Sequence, residues 1–225
     1  MTGSVTNAAL SRRAAVLALL GALCAHVGST CAVAAEPVRI VALGDSLTAG
    51  LGLAESEAFP VKLEAALKPR GQDVRIANAG VSGDTASAGL ARLDWSVPDG
   101  TDAVILELGA NDALRGVDPA VTRKALDTII RRLKERRVEV LLAGMRAPRN
   151  LGGDYYAKFD RIYPDLAKEH GLILYPFFLD GVATDAKLNQ RDGLHPTAAG
   201  VDAIVARMLP AVEALIGRVR AKQKS

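Results

Sequence analysis

Short runs of apolar, β-branched residues alternate along the chain with longer stretches whose apolar positions recur every three or four residues. Val38 to Leu43, Val74 to Ala77, Ala103 to Leu108, Val138 to Ala143 and Leu172 to Leu174 are of the first kind and predict strands. Ala103 to Leu108 (AVILEL) is almost continuously apolar, the pattern of a strand buried on both faces. Phe59 to Leu67 predicts a helix ended by Pro69 and Gly71. Asp118-Pro119 opens a long helix, with Asp as cap and Pro in the first turn, and Val121, Ala125, Ile129 and Leu133 mark its inner face. Tyr155 to His170 predicts one helix stopped by Gly171. Val201, Ile204, Val205, Met208, Val212 and Leu215 predict a last helix, bent at Pro210. Strand–helix alternation of this kind implies a mainly parallel sheet with helices on both faces. No internal repeat or linker interrupts it, so residues 35–225 form a single domain, with residues 218–225 a basic, frayed tail. In such sheets ligands bind beyond the carboxyl ends of the strands.

The N-terminus lies outside this pattern. Arg12-Arg13 precede an apolar stretch from Ala14 to Val27, too short to span a bilayer, which takes about 20 residues. Ala32-Val33-Ala34 then fits the small-x-small rule for signal cleavage. Residues 1–34 are therefore expected to be an export signal, cut after Ala34 or Ala35, leaving a periplasmic or secreted protein without a stable membrane anchor. This segment also changes the charge reading. The whole chain carries +3, but residues 1–34 hold two arginines and no acid, so the rest has 26 basic and 25 acidic residues. With aromatics at 4%, nothing points to nucleic acid. Both cysteines, Cys24 and Cys31, lie before the cut, which excludes a thiol enzyme and a cysteine-ligated metal. Of three histidines only His170 and His195 remain, too few with no thiol for a typical zinc hydrolase.

Four polar segments follow the strands. Gly44-Asp45-Ser46-Leu47-Thr48 is no phosphate loop, because Leu51 stands where the lysine belongs. It is no α/β-hydrolase elbow either, because Thr48 replaces the glycine two residues after the serine. Taken alone, Ser46 is a turn residue or a cap. Asp192 and His195, three residues apart before Pro196, change that. An acid so placed can hold one imidazole nitrogen, leaving the other to take a proton from a hydroxyl. The bland alternative is a turn cap beside a surface histidine. His170, at a predicted helix C-terminus, reads as structural. Asn78-Ala79-Gly80 and Gly109-Ala110-Asn111-Asp112 supply oxyanion donors of the usual kind, a glycine N–H and an Asn amide. Ser82 is a rival nucleophile.

These segments together resemble the four consensus blocks of the GDSL, or SGNH, hydrolases: Gly44-Asp45-Ser46-Leu47, Asn78-x-Gly80-x-Ser82-Gly83-Asp84-Thr85, Gly109-x-Asn111-Asp112 and Asp192-Gly193-Leu194-His195-Pro196. Glu107 to Gly116, Met145 to Pro148 and Ile162 to Glu169 resemble the bacterial periplasmic thioesterase–lysophospholipase–arylesterase subgroup. The resemblance implies a three-layer α/β/α sandwich around a flavodoxin-like, five-stranded parallel sheet. It implies Ser46 as nucleophile, His195 as base and Asp192 as third member of a triad, with Ser46 N–H, Gly80 N–H and Asn111 as the oxyanion hole. No metal or cofactor is implied. The substrate is expected to be a small-molecule ester, aryl or of short to medium acyl length, with acyl thioesters and lysophospholipids as further candidates. Met145, Arg146, Ala147 and Pro148 are expected to line the acyl pocket. Deacetylation of a polysaccharide by the same triad is the alternative, and a binding module without chemistry a remote one.

Overall fold

The computed structural model describes Met1 and residues 36–224, so the export signal and its cleavage site lie outside the described residues. The fold occupies the unit Glu36–Ser225. Its strands are β1 (Val38–Gly44), β2 (Val74–Gly80), β3 (Ala103–Glu107), β4 (Glu139–Ala143) and β5 (Ile173–Tyr175), in the order β2-β1-β3-β4-β5. Every neighbouring pair is parallel, and the order is that of flavodoxin-like folds. Each strand in the middle must be covered on both faces, and all five residues of β3 are buried.

Two groups of helices provide that cover. α1 (Ser46–Ala49) is a single turn, and α2 (Phe59–Leu67) packs on α9 (Ala198–Gln223) and on β2. α3 (Ala86–Ala91) and α4 (Leu93–Ser96) lead into β3, and α5 (Ala110–Leu114) follows it. α6 (Pro119–Glu135) packs on α3, on β4 and on the pair α7 (Gly153–Asp160) and α8 (Ile162–His170).

The structure departs from the sequence reading in four places. The helix expected over 155–170 is two helices parted at Arg161. Pro164 explains it: inside a continuous helix its ring would meet the carbonyl of Asp160, whereas in the first turn of α8 it is harmless. On α6, Val121 is exposed and Thr122 and Leu126 turn inward with Ala125, Ile129 and Leu133. Thr122 is sheltered because its hydroxyl donates to Asp112 Oδ1 at 2.9 Å. Residues 218–223 of the expected tail are helical rather than frayed. α9 runs through Pro210 to Gln223, Val219 is buried, Arg218 donates to Gly171 O, and Lys222 donates to Arg137 O and Glu139 Oε1. Finally, β2 continues past Ala77 to Gly80. Two of its outward N–H groups meet side chains instead of another strand: Ile76 N–H donates to Glu64 Oε2 at 2.9 Å and Gly80 N–H to Asn78 Oδ1 at 3.0 Å.

Candidate active site

The register brings the site together. β1 pairs with β3 so that Gly44 lies beside Glu107, and the chains leaving both strands turn at the same sheet edge. Ser46 is the first residue after the cap of α1. The Asp45 carboxylate caps that turn by accepting from Leu47 N–H at 3.0 Å, and Gly50 ends it at φ +83°. Ser46 is 8% exposed, so it is a nearly buried residue and not the surface serine its loop position suggests.

Ser46 Oγ lies 2.8 Å from His195 Nε2, and His195 Nδ1 lies 2.6 Å from Asp192 Oδ2. The second Asp192 oxygen accepts from the N–H groups of Leu194 and His195, at 2.9 and 3.0 Å. Those two backbone donors, with the imidazole, hold the Asp192 carboxyl down at about 2. It is an acceptor throughout the neutral range, so Nδ1 carries the ring proton and Nε2 faces the Ser46 hydroxyl as an acceptor. Gln190 ties this loop to the serine side, with its amide donating to Leu51 O at 2.7 Å and to Pro196 O at 2.9 Å. His170 stands elsewhere, at the end of α8, with Nε2 2.8 Å from Asp127 Oδ1. Asp127, Glu169 and His170 have the composition of a metal site, but Arg131 and Arg123 already bind both carboxylates, which fits an ion-pair network better.

Gly80, the glycine expected in the oxyanion hole, stands away from the cavity. Gly80 is the last residue of β2, its N–H is taken by Asn78, and it does not line the cavity beside Ser46. Its glycine identity has another cause: a Cβ there would meet the backbone of Ala49 and Asp45. Gly83 does line that cavity, in the left-handed region at φ +85°. Among the described residues the N–H groups of Gly83 and Ser46 meet no acceptor. Asn111 also lines the cavity. Its Nδ2 donates to Asp45 Oδ2 at 3.1 Å and to Asp84 O at 3.0 Å, which fixes the amide's orientation. The dipeptide Ser82-Gly83 was the available signal, since Ser-Gly marks a turn that needs positive φ. Ser82 lines the cavity, but no histidine hydrogen-bonds to it.

The cavity holds about 730 Å³. Leu51, Leu114, Met145, Ala147, Pro148 and Leu179 give it an apolar wall, and no Asp or Glu lines it. Met145 and Ala147 are buried, and Ala147 N–H is held by Asp160 Oδ1. Arg146 turns outward at the mouth, stacked 4.9 Å from the centre of the Phe177 ring.

Beneath the serine turn sits a carboxyl that sequence reading passed over. Glu107 is fully buried at the end of β3. Its Oε2 accepts from Thr48 Oγ1 at 2.7 Å and, at a long 3.4 Å, from Asp45 N–H. Among the described residues no cation bonds to it. Burial first, and then the charge of Asp45, push its carboxyl well above the carboxylate range. Burial likewise pushes Asp45 up to about 6, against the hydrogen bonds from Leu47 and Asn111.

A parallel sheet of this order, carrying serine, aspartate and histidine in that chain order at its carboxyl edge, defines a class: the serine hydrolases of the SGNH type. Comparison with known proteins agrees. Residues 42–203 match the GDSL-like Lipase/Acylhydrolase family. Esterase TesA of Pseudomonas aeruginosa is 36% identical over 199 residues, covering 88% of this chain and 98% of that protein. An arylesterase of Vibrio mimicus is 42% identical over 159 residues, covering 70% of this chain and 80% of its own. The crystal structure of AlinE4, an SGNH-hydrolase family esterase, superposes with a TM-score of 0.68 at 48% identity, covering 80% of this chain and 96% of that one. The chain belongs to the GDSL family and is a serine esterase acting on carboxylic esters.

Proposed function

We propose that Ser46, His195 and Asp192 are the catalytic triad of this esterase. The continuous hydrogen-bonded path, 2.8 Å from serine to imidazole and 2.6 Å from imidazole to carboxylate, carries the assignment. His195 Nε2 takes the Ser46 proton as Oγ attacks the ester carbonyl. The oxyanion is received by the unpaired N–H groups of Ser46 and Gly83. The Asn111 amide joins them by giving up part of its bond to Asp45 or Asp84. His195 returns the proton to the leaving alcohol, and water releases the acyl group by the same route. Ser46→Ala is expected to abolish hydrolysis, and a phosphonofluoridate probe to label Ser46 alone. Labelling of Ser82, or an active alanine variant, would overturn the triad. Asn111→Ala is expected to lower kcat roughly 10²–10³-fold with KM nearly unchanged.

The apolar cavity supports esters with aryl or short to medium acyl groups as substrates, with long-chain thioesters slower. Met145, Ala147 and Pro148 wall the acyl chain, and Arg146 lies at the mouth. We assign residues 1–34 to an export signal on the sequence pattern alone. Protein recovered outside the cytoplasm should then begin at Ala35 or Glu36 on N-terminal sequencing, and an intact Met1 would refute the signal.

A further inference from the structure

Glu107 touches neither His195 nor the cavity, yet the turn that carries Ser46 is built around it. Oε2 accepts from Thr48 Oγ1 two residues after the serine and from Asp45 N–H one residue before it. Gly44 makes room for this: a Cβ there would lie closer than 3 Å to Thr48 Oγ1, to Glu107 Oε2 and to the Glu107 carbonyl. The glycine, the threonine and the glutamate therefore form one fitted unit under the nucleophile. We propose that Glu107 is a positioning residue for the esterase reaction, fixing the Asp45–Thr48 turn so that Ser46 Oγ stays within reach of His195. This rests on Ser46 being the nucleophile.

The chemistry of the surroundings says in which form Glu107 works. Asp45 faces it from the serine turn; among the described residues it is bound by Leu47 N–H and the Asn111 amide and by no cation, with His195 the nearest imidazole acting on its charge. The Asp112 carboxyl, from α5, is bound by Ala86 N–H and Thr122 Oγ1. The Tyr163 hydroxyl, from α8, donates to Leu108 O. Arg92, from between α3 and α4, is the nearby cation. Its guanidinium is engaged by Asp84 Oδ2, by Ser96 Oγ and by the Gly44 carbonyl, and not by Glu107. A second ionised carboxylate beside Asp45, without a counter-charge, would be strongly disfavoured. Glu107 is therefore the neutral acid, its carbonyl oxygen Oε2 accepting from the turn. An amide of the same shape offers the same acceptor.

Steady-state kinetics on p-nitrophenyl hexanoate test this, with urea unfolding to establish that each variant is folded. Glu107→Leu removes the acceptor at similar volume and is expected to lower kcat at least 10-fold with KM unchanged, and to slow phosphonofluoridate labelling of Ser46 to match. Glu107→Gln is expected to restore most of kcat. Thr48→Val removes the main donor and should show a loss of the same kind. The double variant Thr48→Val/Glu107→Leu should lose little more than either single one, because both cut one interaction. Wild-type kcat in folded Glu107→Leu overturns the proposal. So does a Glu107→Gln variant as impaired as the leucine, or full multiplication of the two losses. If Glu107→Leu does not fold, Thr48→Val and Glu107→Gln decide the matter. Ser46→Ala run alongside separates the two readings. An active Ser46→Ala variant refutes the nucleophile itself, whereas an inactive one beside an unimpaired Glu107→Leu refutes only the positioning role.

Discussion

A carboxylic acid enclosed by protein, with no cation beside it, holds its proton far into the range where free carboxylic acids have lost theirs. Glu107 and Asp45 are both in that position, Asp45 pushed up to about 6 and Glu107 well above the carboxylate range. Below a pH of about 4 both are protonated in folded and unfolded chains alike. As pH rises, the unfolded chain releases these protons and the folded one keeps them, so stability falls with pH until the folded groups titrate. Glu107→Gln removes the larger part of this effect. Its stability relative to the native protein, measured by urea unfolding, should be greater at pH 8 than at pH 5. A difference independent of pH would show that Glu107 is ionised in the fold. Asp192 runs the opposite way, stabilising above its ordinary value and losing this only as pH falls toward about 2. At this scale the hydrogen-bonded Asp192–His195 pair was legible because its spacing is local and acid and imidazole lie in one loop. Gly83 and Glu107 were not. Which of two glycines presents a free N–H depends on where β2 ends, and a glutamate in an apolar strand is silent until its neighbours across the sheet are known.

Between residue and fold, element boundaries follow from single residues that forbid continuation. Pro164 splits α7 from α8, and Gly171, at φ +67°, ends α8. The alternation that predicted five strands held because three of them, β1, β3 and β4, each carry four consecutive apolar residues, and β2 and β5 shorter ones between turn signals. The end of α9 was misread because charge there suggested solvent. Basic side chains at a helix C-terminus do something else: they reach orphan carbonyls. Arg218 and Lys222 do so on Gly171 and Arg137, and Val219 packs underneath. Deleting residues 218–225 should therefore destabilise the protein by about 1.5–3 kcal/mol for Val219 alone, on the usual value for a buried aliphatic side chain. This would be read as a lower urea midpoint. An unchanged midpoint would mean that this last turn of α9 contributes nothing.

For the molecule as a whole, one parallel sheet gathers four distant segments of sequence at one edge and leaves a single-sided apolar cavity above them. Fold class was legible from alternation alone. The volume of the cavity was not, because it depends on how α5, the loop after β4 and the segment after β5 meet. Ala147 lies in its wall with its backbone pinned by Asp160. Ala147→Leu should fill space there, each added methylene contributing up to ~0.8 kcal/mol of contact. We expect kcat/KM to rise more for an eight-carbon p-nitrophenyl ester than for a two-carbon one. Equal effects on both would place the acyl chain elsewhere. The far side of the same sheet carries a quieter consequence. β2 is an edge, and an edge strand with free amides is a template on which a second chain can lay its own strand. Here the outward N–H groups of Ile76 and Gly80 are already occupied by Glu64 and Asn78. Gly80 thus belongs to a seam on which two amides are already taken, leaving an incoming strand fewer donors to pair with.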